Sequence, residues 1–185
     1  MTRPLVVHLT TTDMSLELLL GPQLEAFVAA GFDVVGCSAP GPYVEALERR
    51  GVPHVPLRHA TRSSAPLEDL RALGELVRCF RRLRPAIVHT HNPKPGVYGR
   101  LAARIARVPG VVNTVHGLYA QPADPRVRRT AVYAAERIAG LCSQAELVQN
   151  PEDLATLASI GVPRHKLVLL GNGIDLDRFD PARVG

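Results

Sequence analysis

Tryptophan is absent from the 185 residues, and there are only four phenylalanines and four tyrosines. Lysine is nearly absent too. Lys94 and Lys166 are the only two among 22 basic residues, so arginine carries the net charge of +5. A basic surface suits anionic partners such as phosphates, nucleic acid or acidic lipid headgroups. Nucleic acid is not expected, because the arginines are not interleaved with aromatics and no RNA- or DNA-binding signature is present. Cysteine is scarce: Cys37, Cys79 and Cys142 are odd in number and far apart. That pattern fits neither a disulfide framework nor zinc-ligand spacing, and it suits a reducing compartment. The three read as small packing residues. No apolar run approaches the roughly 20 residues that span a bilayer. The opening MTRPLVVHLTTTD has too short an apolar patch for a secretory signal, and the expected location is cytoplasmic.

Several catalytic signatures are missing as well. No Gly-x-Gly-x-x-Gly follows the first apolar run, which argues against a dinucleotide-binding domain. No phosphate-loop Lys-Ser/Thr follows any strand, and no Gly-x-Ser-x-Gly elbow marks an α/β-hydrolase.

What is present is a steady alternation. Leu5–Thr10, Asp33–Ser38, His54–Leu57, Ala86–Thr90, Val111–Val115, Glu146–Asn150 and Lys166–Leu170 read as strands. Most are continuous apolar runs, as expected for a parallel sheet covered on both faces. Between them lie helical patterns. GPQLEAFVAAG, PRVRRTAVYAAERIAG and PEDLATLASIG each begin near a proline and end on a glycine. The longest, APLEDLRALGELVRCFRRLRP, puts its acids early and its arginines late, complementing the helix dipole. The predicted fold is α/β: a doubly wound, mostly parallel, Rossmann-like sheet of about seven strands.

In such sheets ligands bind at the carboxyl ends of the strands. The segments there are TTTDMS, HNPKPG, HGLYAQ, NPED and GNGID, so their polar residues should converge. Thr11, Thr12 and Asp13 supply hydroxyls and a carboxylate after the first strand. His89 and His91 are two apart, so an extended backbone points both to one face. No third ligand has a compelling position beside them, and no metal is expected. His89 reads as a core or sheet-edge histidine and His8 as structural. His91, Asn92 and Lys94 form an expected ligand-facing loop with Gly96. Two readings stand for Lys94: a cation held near the cleft by flanking prolines, or a solvated lysine. His116 ends a strand beside Gly117, which places an imidazole at the cleft; a sheet-edge histidine is the other reading.

Taken together, VHTHNPKPGVYGRLAARIARVP, VNTVHGLY, ELVQNPEDLATLASIGVPRHKLVLLGNGIDLDRFDP and the helix ending AAGFDVV resemble the amino-terminal domain of retaining family 4 glycosyltransferases. These have the GT-B fold, and the first two stretches look most like members that extend lipid-linked saccharides. The resemblance implies that His116 is the catalytic histidine that reaches the donor sugar. It implies that Thr11, Thr12, Asp13, His91, Asn92, Lys94 and Gly96 line the acceptor side. Asn150, Glu152, Asn172 and Gly173 would flank the interdomain cleft. The paired glycines of many members are replaced after the first strand by TTTDMS, which leaves no backbone cradle for the donor phosphate there.

The implied substrates are a nucleotide-sugar donor and a saccharide or polyprenyl-diphosphate-sugar acceptor, with no further cofactor. Residues 1–180 would form the acceptor-side domain and 181–185 the start of a linker. The family's second domain, which binds the donor and supplies two glutamates, is not expected within these residues, so they would be one domain taken from a longer protein, a truncated product or half of a two-chain enzyme. The chain by itself is then expected to be inactive. The arginine-rich RCFRRLRP and DPRVRRTAVY suit either a solvated face or an anionic membrane surface at the inner face of the cell membrane. A non-catalytic α/β binding module is the alternative, because this fold hosts many functions.

Overall fold

A computed structural model describes residues 3–59, 66–91, 93–120 and 123–171. Seven strands form one sheet: β1 (Leu5–Thr12), β2 (Asp33–Ala39), β3 (His54–Pro56), β4 (Ile87–His91), β5 (Gly110–Val115), β6 (Ala145–Val148) and β7 (Leu167–Leu169). Their order is β3-β2-β1-β4-β5-β6-β7, and all the pairings are parallel. The order reverses between β1 and β4, which is where a doubly wound sheet opens a crevice. All seven strands lie within two residues of their expected limits.

The helices are α1 (Gly21–Ala29), α2 (Val44–Arg49), α3 (Pro66–Leu83), α4 (Pro93–Ala106), α5 (Arg126–Cys142) and α6 (Pro151–Ser159), and a π-helical turn covers Ser15–Leu19. The six residues of α2 are too few for a 3.6-residue period to show in sequence. One expectation is corrected. Lys94 and Gly96 are not in a loop but in the first turn of α4, which starts at Pro93. Prolines fit there because the first N–H groups of a helix have no intrahelical partner.

One face of the sheet packs Val7, Leu9, Val88 and Val111 against Leu76 and Phe80 of α3 and Ala102 and Ala103 of α4. Elsewhere Val34 packs with Leu16, Leu20, Leu24 and Leu47. Fully burying one Leu or Phe side chain contributes about 1.5–3 kcal/mol. Helix α4 packs close against the sheet. A Cβ at Gly99 would lie 2.5 Å from Leu9 Cδ2 and 2.6 Å from Thr90 Cγ2, so only glycine permits that approach. This approach fixes the amino end of α4, and with it Lys94, beside the carboxyl ends of β1 and β4.

Candidate active site

A cavity of about 510 Å³ opens at this edge, lined in part by Thr11, Asp69, Lys94, Tyr98, Tyr119 and Glu136. Lys94 Nζ lies 2.6 Å from Asp69 Oδ1, and both side chains are largely buried. Burial, then the hydrogen bond to Asp69, pushes the Tyr98 phenol up to about 12. It stays neutral and available for hydrogen bonding. Tyr119 is exposed, and the Arg128 guanidinium sits 5.1 Å from its ring centroid. An aromatic and cationic wall of this kind suits sugar rings and phosphates.

On the opposite face of the sheet from α4, four histidines gather on three neighbouring strands. His8 of β1 lies opposite His89 of β4, and His91 follows two residues on, on the same face. His8 Nδ1 is 3.2 Å from His91 Nε2, and His91 Nδ1 is 3.2 Å from His116 Nε2. His89 Nε2 lies 2.8 Å from Thr114 Oγ1. His8 and His91 are fully buried, and His116, just past β5, is half-buried. Gly117 has φ +125°, a conformation that L side chains rarely adopt, and this turns the chain sharply after His116. Burial, then the neighbouring His89, lowers His8 to about 3. Burial, then His116, lowers His89 to about 4. Burial, reinforced by the other three histidines, holds His91 well below its usual range. Burial also lowers His116, opposed by a hydrogen bond with Gln149. All four imidazoles are therefore neutral at pH 7.

His8 is thus the third imidazole that sequence reasoning did not place beside His89 and His91. One nitrogen from each lies within 4.8 Å of the others. His8 Nδ1, both His91 nitrogens and His89 Nε2 are engaged with one another, with His116 and with Thr114, whereas His8 Nε2 has no partner.

Behind the cavity lies a buried ionic network. Arg100 of α4 is 1% exposed. It donates from Nη2 to Glu136 Oε2 at 2.6 Å, from Nη1 to Glu146 Oε1 at 2.7 Å, and from Nε to the Gly96 carbonyl at 2.7 Å. Glu146 also accepts from Asn113 Nδ2 at 2.7 Å and from Ser143 Oγ at 2.5 Å. Burial alone would lower Arg100, but Glu146 and Glu136 outweigh it and raise it. Burial raises Glu136 despite the opposing Arg100. The network ties α4, α5, β5 and β6 into one wall. Arg100 carried no sequence signal, since a lone arginine in a helix reads as solvent-facing.

The remaining predicted residues separate by role. Thr11 lines the cavity and is buried, whereas Thr12 Oγ1 pairs with Ser15 Oγ at 3.3 Å. Asp13 is 4% exposed and accepts the Tyr43 N–H at 2.7 Å, which holds the segment after β2. His91, expected to face a ligand, instead lies beneath His116. Gly96 lets α4 pass Asn113, since a Cβ there would be 3.1 Å from Asn113 Oδ1. Asn150 caps α6, accepting the Asp153 N–H at 2.7 Å, with Pro151 and exposed Glu152 in the first turn. Gln-Asn-Pro-Glu-Asp is thus a helix start. Asn92, Asn172 and Gly173 lie outside the described residues.

The profile of Glycosyltransferase Family 4 matches residues 23–178. The chain is 32% identical over 122 residues to the UDP-Gal:alpha-D-GlcNAc-diphosphoundecaprenol alpha-1,3-galactosyltransferase of Escherichia coli, covering 65% of this chain and 32% of that protein. It is 27% identical over 180 residues to the capsular polysaccharide biosynthesis glycosyltransferase CapM of Staphylococcus aureus, covering 94% of this chain and 46% of the relative. A glycosyltransferase structure from Rickettsia africae superposes with a TM-score of 0.72 at 18% identity, covering all of this chain and 47% of its own. The chain therefore spans less than half the length of these relatives.

Proposed function

The chain belongs to glycosyltransferase family 4, and on that premise we propose that it is the acceptor-side half of a retaining, nucleotide-sugar-dependent glycosyltransferase. Its sheet is one half of a GT-B fold. The acceptor we infer is a saccharide on a polyprenyl diphosphate. The galactosyltransferase relative is named for a UDP-linked donor and a diphosphoundecaprenol acceptor, which supports both assignments. The product would enter a cell-surface polysaccharide or glycolipid.

The observation that carries the reading is the half-buried, neutral His116 at the carboxyl edge of the sheet, the edge where the cavity lined by Lys94, Tyr98 and Tyr119 also opens. A neutral imidazole hydrogen-bonds a sugar hydroxyl without placing a charge beside the oxocarbenium-like centre of glycosyl transfer. Lys94 offers charge-assisted hydrogen bonds to an acceptor phosphate, in competition with Asp69. The departing nucleoside diphosphate needs stabilisation that a second domain supplies, so this chain by itself binds acceptor weakly and does not turn over.

Among the described residues no helix is long and apolar enough to cross a membrane. Exposed Arg126 and Arg128, flanking Val127 at 85% exposure on α5, suit peripheral attachment to an anionic inner leaflet. Co-sedimentation with anionic but not neutral liposomes is expected, and binding indifferent to lipid charge would reject the attachment. The test of the site is an NMR titration with a short-chain polyprenyl-diphosphate sugar. Shifts at Lys94, Tyr98 and Tyr119 are expected, and a titration that leaves all three unmoved would overturn the assignment.

A further inference from the structure

The two 3.2 Å contacts from His8 through His91 to His116 form an unbroken hydrogen-bonded line across β1, β4 and the end of β5. A neutral imidazole has one N–H and one lone pair. A line of three joined through Nδ1 and Nε2 is therefore consistent in only two ways. Either all three carry the proton on Nε2, or all three carry it on Nδ1. In any mixed arrangement two lone pairs or two N–H groups face each other, and losing one such buried bond lowers the population about 5- to 150-fold.

The far end of the line selects between the two. His8 Nε2 is buried and has no hydrogen-bond partner. With protons on Nε2 it would be an orphaned buried N–H, which proteins rarely tolerate. With protons on Nδ1 it is an unused acceptor, a lesser defect. The line is also no route for net charge. Burial holds His8 at about 3, so its cation is disfavoured about 10⁴-fold at pH 7.

We propose that His8 and His91 are positioning residues that lock His116 in the Nδ1–H tautomer, so that it meets the sugar as a hydrogen-bond donor and not as a base. His91 transmits the choice through its own ring, and His8 sets it from the core; the hydrogen bond between His116 and Gln149 is the one a sugar hydroxyl would replace. The role of His116 toward a sugar rests on the function proposed above; the lock itself rests on the three imidazoles.

The test is long-range ¹⁵N–¹H NMR of the histidine-labelled chain at pH 7.5, which reads the tautomer of each of its seven histidines. The expected result is Nδ1–H at His8, His91 and His116 together, the less common form of free imidazole. Mixed senses among the three, or Nε2–H throughout, would overturn the lock. The variant His91→Phe interrupts the line while keeping a buried ring. It should release His116 to a mixture of tautomers, and an unchanged His116 would show that His91 does not position it. The wild-type measurement decides the first point even if His91→Phe fails to fold. A His116→Ala enzyme with wild-type transfer would remove the catalytic reading and leave the tautomer result standing.

Discussion

Acidification should unfold this chain through its buried histidines. His8, His89 and His91 have folded pKa values lowered to about 3, to about 4, and well below the usual range, in each case chiefly by burial. The unfolded chain protonates them near 6.5. Each therefore contributes stability that is present above pH 6.5 and is lost as pH falls toward the folded value. At pH 5 the loss is about 2 kcal/mol each for His8 and His89, about 4 kcal/mol together, and His91 adds to it in the same direction. That is a large part of the stability of an ordinary domain, about 5–15 kcal/mol. Glu136 works in the opposite direction. Its raised pKa favours the folded state as pH falls, but a single carboxyl offsets at most about 1.4 kcal/mol per pH unit. Urea unfolding followed by circular dichroism from pH 8 to pH 5 should show the loss, steepest below pH 6. The variant His8→Phe should reduce the slope, since one of the histidines that titrate on unfolding is gone. A stability that is flat across this range, within about 1 kcal/mol, would refute the neutral buried cluster.

Two further perturbations probe the walls of the site. Arg100→Met strands Glu136 and Glu146 without their cation and should cost about 3–5 kcal/mol in urea unfolding at pH 7. Burial holds Glu136 above the usual carboxylate range, and without Arg100 it takes up a proton more readily, so the deficit relative to wild type should narrow toward pH 5.5; a constant deficit would contradict the ionic account. Asp69→Asn removes the carboxylate paired with Lys94 and should tighten a diphosphate-bearing acceptor about 2- to 5-fold by titration calorimetry. Weaker binding would mean that Asp69 holds Lys94 in place for the ligand instead of competing with it.

The sequence carried the sheet well because parallel strands buried on both faces are continuous apolar runs, and these stand out beside proline-initiated, glycine-terminated helices. It carried the start of α4 poorly. Two prolines around Lys94 read as a loop, yet both fit a first helical turn whose N–H groups need no partner. The site was half legible. His116 could be placed from its strand end and Gly117. The pairing of His91 with His8 depends on β1 and β4 being neighbours, which the spacing of residues 83 positions apart does not reveal. Arg100 shows the same limit, because its carboxylate partners lie 36 and 46 residues away. Asp13, expected on the acceptor side, and Asn150, expected at the interdomain cleft, also serve as a turn tie and a helix cap, places that short polar side chains suit.

The central claim is that this chain supplies the acceptor wall and the catalytic histidine of a sugar transfer. Joined to a family 4 donor-binding half and given a labelled nucleotide sugar and a polyprenyl-diphosphate saccharide, it should transfer sugar. The His116→Ala form should then lose about 10²- to 10³-fold in kcat, and the chain by itself should transfer none. Transfer by the isolated chain, or a His116→Ala rate within about threefold of wild type, would contradict the account.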